Sequence, residues 1–152
     1  MRIILLLLLL FLNKAFSQLD EPKQKIDSRL ISTNIQPKNI GLFTEEIKLT
    51  KISLDTVKIW YNSKNLAKFI SITSNELGID DDYFHKLSTH LNVGFKLTNI
   101  SKTNNQEFFY DSKRKRLIIK TYSKTVNEKL IEVEFISDYE LIITKLPEVK
   151  NW

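Results

Sequence analysis

Cysteine is absent from this 152-residue chain, histidine occurs twice, and glycine and proline three times each. Without cysteine there is no disulfide, no thiolate metal ligand, no thiol nucleophile and no residue to carry a lipoprotein acyl anchor. Gly41, Gly78 and Gly94 lie far apart. They cannot build a phosphate-binding loop, a dinucleotide fingerprint or a nucleophile elbow, each of which needs clustered glycines. His85 and His90 are five residues apart. On a helix that spacing turns them about 140° from one another, so they do not share a metal. Asp81 and His85 supply at most half a site. The expectation is therefore no cofactor, no metal and no catalytic residue.

A long hydrophobic run is also lacking. The one apolar stretch, Ile3 to Leu12, has 10 residues, whereas a membrane-spanning helix needs about 20. It follows Arg2 and leads to Ala15-Phe16-Ser17. A basic residue, a short apolar run and small residues form a secretory signal, with cleavage expected before Gln18. The expected location is periplasmic or extracellular, with no stable membrane anchor after cleavage. A chain exported unfolded does not carry a cofactor loaded in the cytoplasm. Losing residues 1–17 removes Arg2 and Lys14, so the formal charge falls from +5 to +3. That is ordinary for solubility and no footprint for nucleic acid.

What remains is one domain's worth of chain. Residues 18–40 are polar, contain Pro22 and Pro37, and keep no period, so they read as an N-terminal arm or tether. The domain is expected over 41–146, with a tail at 147–152. In "LIEVEFI", Ile131, Val133 and Phe135 alternate with Glu132 and Glu134, the pattern of a half-buried strand. "GFKLTNI", "QEFFYD" and "RLIIKTY" precede it, and "ELIITKL" follows after Ser137-Asp138. The spacing predicts five strands of an antiparallel meander, the last two as a hairpin reversed at Ser-Asp. The basic run Lys113 to Arg116 then marks a solvated hairpin tip rather than a polyanion site. "EIKLTKISL", "TVKIWY" and "AKFISIT" are rich in β-branched residues and read as further strands. The competing reading is a helix from Leu54 to Ile72. Gly78 to Gly94 carries one predicted helix, capped by Asp80, with Phe84, Leu87 and Leu91 on its apolar stripe.

At "FFYDSKRKRLIIKTYSKTVNEKLIEVEFISDYELIITKL" the chain resembles the end of the small lipocalin-like domains of exported bacterial proteins. The matching pieces are Phe109-Tyr110, Leu117 to Ile119 and Ser137 to Leu141. The resemblance implies a closed barrel with an apolar interior. The expected class is thus mainly β with one helix, an antiparallel meander forming a lipocalin-like barrel. The alternative is an open sheet packed on a helix, an α+β roll.

Aromatics occur on almost every expected strand. As core they fill a small β-rich domain; as a site they line an apolar pocket. Strand parity nominates Trp60, Phe109, Ile119, Val133 and Phe135 as inward-facing ligand contacts. The expected function is non-catalytic binding of an apolar small molecule. A protein-interaction or inhibitor domain using a sheet edge is the alternative. A hydrolase with paired carboxylates is a third reading, and no particular acids are singled out for it.

Overall fold

The structure, a computed structural model, describes residues 19–32, 35–48, 56–74 and 95–146. The predicted helix at 78–94, with His85 and His90, lies outside the described residues, as do the expected signal sequence at 1–17 and the expected tail at 147–152. In chain order the elements are α1 (Lys23–Ser32), β1 (Lys38–Gly41), β2 (Thr44–Lys48), β3 (Thr56–Tyr61) and β4 (Ala67–Thr73). After them come β5 (Lys96–Ser101), β6 (Gln106–Asp111), β7 (Arg116–Tyr122), β8 (Leu130–Ile136) and α2 (Tyr139–Lys145). Among the described residues no helix is long and apolar enough to cross a membrane.

All eight strands belong to one antiparallel sheet in the order β1-β2-β3-β4-β8-β7-β6-β5. Two four-stranded meanders meet where β8 docks on β4. Among the described residues of 41–77, Thr44–Lys48, Thr56–Tyr61 and Ala67–Thr73 are strands, and the rival helix does not form over 56–72; residues 49–55 and 75–77 lie outside the described residues. The order is linear, with β1 and β5 at its two ends, so the sheet is open. The barrel expectation is corrected, and the alternative of an open sheet packed on helices holds.

The register assigns the faces. One row runs Glu45–Ile59–Ile70–Phe135–Ile118–Phe109–Leu97 across seven strands, with Ile47, Val57, Ile72 and Val133 on the same face. Ile26 and Leu30 of α1 and the preceding Leu19 pack into this core. The opposite face carries Trp60, Phe69, Ile136, Leu117 and Tyr110 in one row. Ile142 and Leu146 close it, with Phe108 and Ile119 in the same cluster. Each face therefore has its own helix.

Two expectations fail here for identifiable reasons. Residues 19–32 are not a tether. Asp20 N–H donates to the Ala67 carbonyl at 2.7 Å and Ala67 N–H to the Glu21 carbonyl at 3.0 Å, which fastens the segment to the β3–β4 hairpin. Its helix needs only Ile26 and Leu30, one turn apart, to bury its contact face. The last strand of the expected hairpin is instead α2. β8 already pairs with β4 on one side and β7 on the other, so the chain after it has no strand to join. Asp138 caps the helix, accepting from Leu141 N–H at 3.0 Å, and Glu140 and Lys145 suit its two dipole ends.

With so few glycines, the hairpin turns place other residues in the left-handed region. Asn65, Asn105, Lys115, Asn127 and Glu128 all have φ between 48° and 56°. Asparagine tolerates that region and lysine and glutamate do so less readily. The tip at 112–115 is held by Asp111, whose Oδ1 accepts from Lys113 N–H at 3.0 Å and Arg114 N–H at 3.1 Å. Lys115 sits over the Tyr139 ring at 5.5 Å, and Arg116 reaches Asp20 at 3.4 Å. The basic run is a turn whose cations tie it to the fold. In the β7–β8 connection, Lys129 N–H donates to the Val126 carbonyl at 2.9 Å across Asn127 and Glu128, both at positive φ. That is a type I′ turn, whose second central position favours glycine. Glu128→Gly should therefore raise the unfolding free energy by about 0.5–1 kcal/mol, the left-handed strain removed outweighing the added chain entropy. A urea midpoint unchanged or lowered would refute this account of the turn.

Candidate functional site

At the end of the sheet where β3 turns into β4, Trp60 and Phe69 stand opposite each other on neighbouring strands. Their rings meet edge to face, 4.4 Å between centroids and 61° between planes, a favoured aromatic geometry. A bulge follows this pair, between Trp60 and Tyr61. It bends the strand end where the chain enters the Asn62 turn. Leu141, on the first turn of α2, forms the third apolar wall. Trp60, Tyr61, Asn62, Lys68, Phe69, Asp138, Leu141 and Lys145 together enclose a half-open cleft of about 410 Å³. That lies within the roughly 300–1,000 Å³ typical of small-molecule sites.

The polar rim is built by side chains with assigned tasks. Lys145 Nζ bonds both carboxylate oxygens of Glu134, at 2.7 and 3.0 Å, and stands 5.5 Å above the Phe69 ring. Lys68 pairs with Asp20, a residue that also accepts from Ser137 Oγ at 3.1 Å. Asn62 Oδ1 accepts from Lys64 and Leu66 N–H, each at 3.0 Å, holding the turn beneath the cleft. Asp138 Oδ1 is taken by the helix cap. Glu134 belongs to the polar set of its alternating strand, yet it is buried. The reason is α2, which covers that end of the second face.

The five nominated residues do not line one cavity. Phe109, Val133 and Phe135 share the face under α1. Trp60 and Ile119 lie on the other face, where Ile119 is buried in the second core cluster and Trp60 lines the cleft. Of the five, Trp60 alone lines this cleft. Sequence reasoning passed over Phe69, Lys68, Leu141 and Lys145. Counting back along the hairpin from Tyr61 opposite Ala67 would set Lys68 opposite Trp60; the bulge between Trp60 and Tyr61, which no sequence signal marked, brings Phe69 there instead. Leu141 and Lys145 come together only once α2 is a helix.

A second hollow, of about 800 Å³, opens at the other ends of the strands. Its lining includes Lys102, Glu107, Tyr122, Lys124 and Glu128, and several of these groups are bonded within the fold. Tyr122 Oη donates to Glu107 at 3.2 Å, and Lys124 Nζ to the Thr103 carbonyl at 3.0 Å. Larger though it is, it offers little apolar surface. The cleft is the better-formed candidate on chemistry. Among the described residues no group of three or more His, Asp or Glu side chains is placed to hold a metal ion.

No family model, curated protein or solved structure matches the chain.

Proposed function

We propose that this is an exported, non-catalytic binding domain whose ligand is an apolar small molecule held in the Trp60–Phe69–Leu141 cleft. The observation that carries the reading is the aromatic pair itself. Two large rings in edge-to-face contact and a leucine, partly buried at the margin of the second core cluster, border open space at a sheet end. Apolar walls with a few convergent polar groups are the usual make-up of a small-molecule site. The export component rests on the pattern of residues 1–17 alone.

The test is a titration with N-phenyl-1-naphthylamine, a neutral apolar probe that brightens on leaving water. Binding to the wild type should weaken by at least about tenfold in Trp60→Ala, because one lost aromatic wall removes a large share of the contact area. Phe69→Leu should weaken it less. Equal affinity in all three proteins would remove the cleft as the site.

One observation favours the alternative of a partner bound at a sheet edge. End strand β1 is exposed along its length and leads into a tip where Leu42 is 91% exposed, with Ile40 and Phe43 beside it. An open edge with apolar side chains is a surface for strand addition.

A further inference from the structure

We infer that the cleft takes an amphiphile with an acceptor head, a carboxylate, and that Lys68 is the residue that receives this head. The inference rests on the apolar-binding reading above and deepens it. It follows from counting donors and acceptors around the rim.

An ammonium has three N–H donors and no acceptor. Lys145 spends two of its donors on the two oxygens of Glu134. Lys68 spends one, on Asp20 Oδ1. Asn62 has its carbonyl oxygen committed to two backbone N–H groups, which leaves its NH₂ as its uncommitted polar group. Trp60, also on the lining, carries an indole N–H that is a donor only. Against these stands one carboxylate in the lining, Asp138, with one oxygen already occupied by the helix cap. The rim is therefore rich in uncommitted donors and poor in acceptors. A ligand head offering only acceptors satisfies it; a cationic head with no acceptor, such as a quaternary ammonium, does not.

The apolar walls set the other half of the molecule. Trp60, Phe69 and Leu141 contribute surface without specific polar partners, which suits a short alkyl chain. Between the two lysines, geometry selects Lys68. Lys145 is pinned over the Phe69 ring with both hydrogen bonds directed at Glu134. Lys68, held by a single carboxylate, keeps two donors for a ligand. Asp20 positions it, anchored in turn by backbone bonding to Ala67 and by Ser137.

The experiment follows Trp60 fluorescence in the Trp152→Phe protein, where Trp60 is the only indole. The titrants are monomeric decanoate, decanol and decyltrimethylammonium, which share a chain and differ in head. Decanoate should bind about tenfold or more tightly than decanol, the worth of a hydrogen bond to a charged group. Decyltrimethylammonium should bind most weakly. Lys68→Met, which keeps the stem and removes the charge, should bring decanoate down to the level of decanol and leave decanol unchanged. Lys68→Arg should restore most of the preference. Equal binding of decanoate and decanol to the wild type overturns the head-group assignment while sparing the cleft. The same holds if Lys68→Met keeps the preference. Failure of all three to bind overturns the apolar-binding reading and this inference with it.

Discussion

Replacing Leu30 with alanine should lower the unfolding free energy by about 3 kcal/mol, within the range of roughly 2–5 for leucine truncations in a core. Leu30 and Ile26 are fully buried against the first face of the sheet, whereas Ile31, next along the same helix, is 55% exposed. Ile31→Ala should therefore change stability by less than about 0.5 kcal/mol, the ordinary surface value. The pair separates an integrated helix from an arm, because on an arm both substitutions would be silent. Urea denaturation monitored by far-ultraviolet circular dichroism makes the comparison. If Leu30→Ala unfolds at the wild-type midpoint, α1 does not belong to the core.

How legible was this fold? The strands were, wherever period-two alternation and β-branched residues coincide. β5 to β8 and the hairpin β3–β4 fall on the stretches that the pattern marks, and the Lys113–Arg116 run is the turn that its flanking strands imply. What the pattern does not hold is which strand neighbours which. β4 pairs with β8, so Ser71 Oγ donates to Glu132 at 2.9 Å across 61 residues of sequence. No local property of either strand encodes that contact. Both structural errors descend from this gap. With β8 internal, "ELIITKL" is denied a partner strand and folds as α2, although its isoleucines and threonine favour a strand. With Ile47, Val57, Ile59, Ile70 and Ile72 of β2, β3 and β4 on one buried face, two residues of α1 suffice to dock a segment that composition marks as polar.

The candidate site was less legible for the same reason. Parity within a strand was read correctly, since Val133 and Phe135 do share a face. Parity between strands needs the register, and the register sets Trp60 and Ile119 against Phe109, Val133 and Phe135. In an open sheet covered on both sides, the inward residues of different strands belong to different cores. A barrel would have given them one interior. The correction of the fold and the dispersal of the five residues are thus a single fact.

The second large effect is expected at Glu45, a carboxylate buried beneath α1. Tyr61 Oη donates to its Oε2 at 2.7 Å, and Lys23 pairs with its other oxygen. Lys23 also reaches Asp27 at 3.2 Å and lies 5.3 Å from the Tyr61 ring centre. Glu45→Ala should cost about 2–4 kcal/mol at neutral pH. It strips a buried hydroxyl and an ammonium of their shared partner. The loss is tempered because Lys23 is part-exposed and keeps Asp27. Glu45→Gln, which retains an acceptor for Tyr61, should fall between the wild type and alanine.

The same network sets the alkaline limit. Burial, and then the Asp27 carboxylate, push the Tyr61 phenol well above its ordinary value of 10.0. Because the folded value is raised, the unfolded chain loses this proton first as pH climbs. Stability is then fully present below about pH 10 and falls above it, at up to about 1.4 kcal/mol per pH unit for the one group. Tyr61→Phe should remove that part of the slope while lowering stability at pH 7 through the lost bond to Glu45. A residual slope should persist from Tyr110, whose phenol is raised by burial first and then by Tyr139 and Asp111. Unfolding curves at intervals from pH 7 to 11 decide the matter. A Glu45→Ala protein as stable as wild type, or a Tyr61→Phe protein with an unchanged alkaline limb, would show that this buried network does not hold α1 to the sheet.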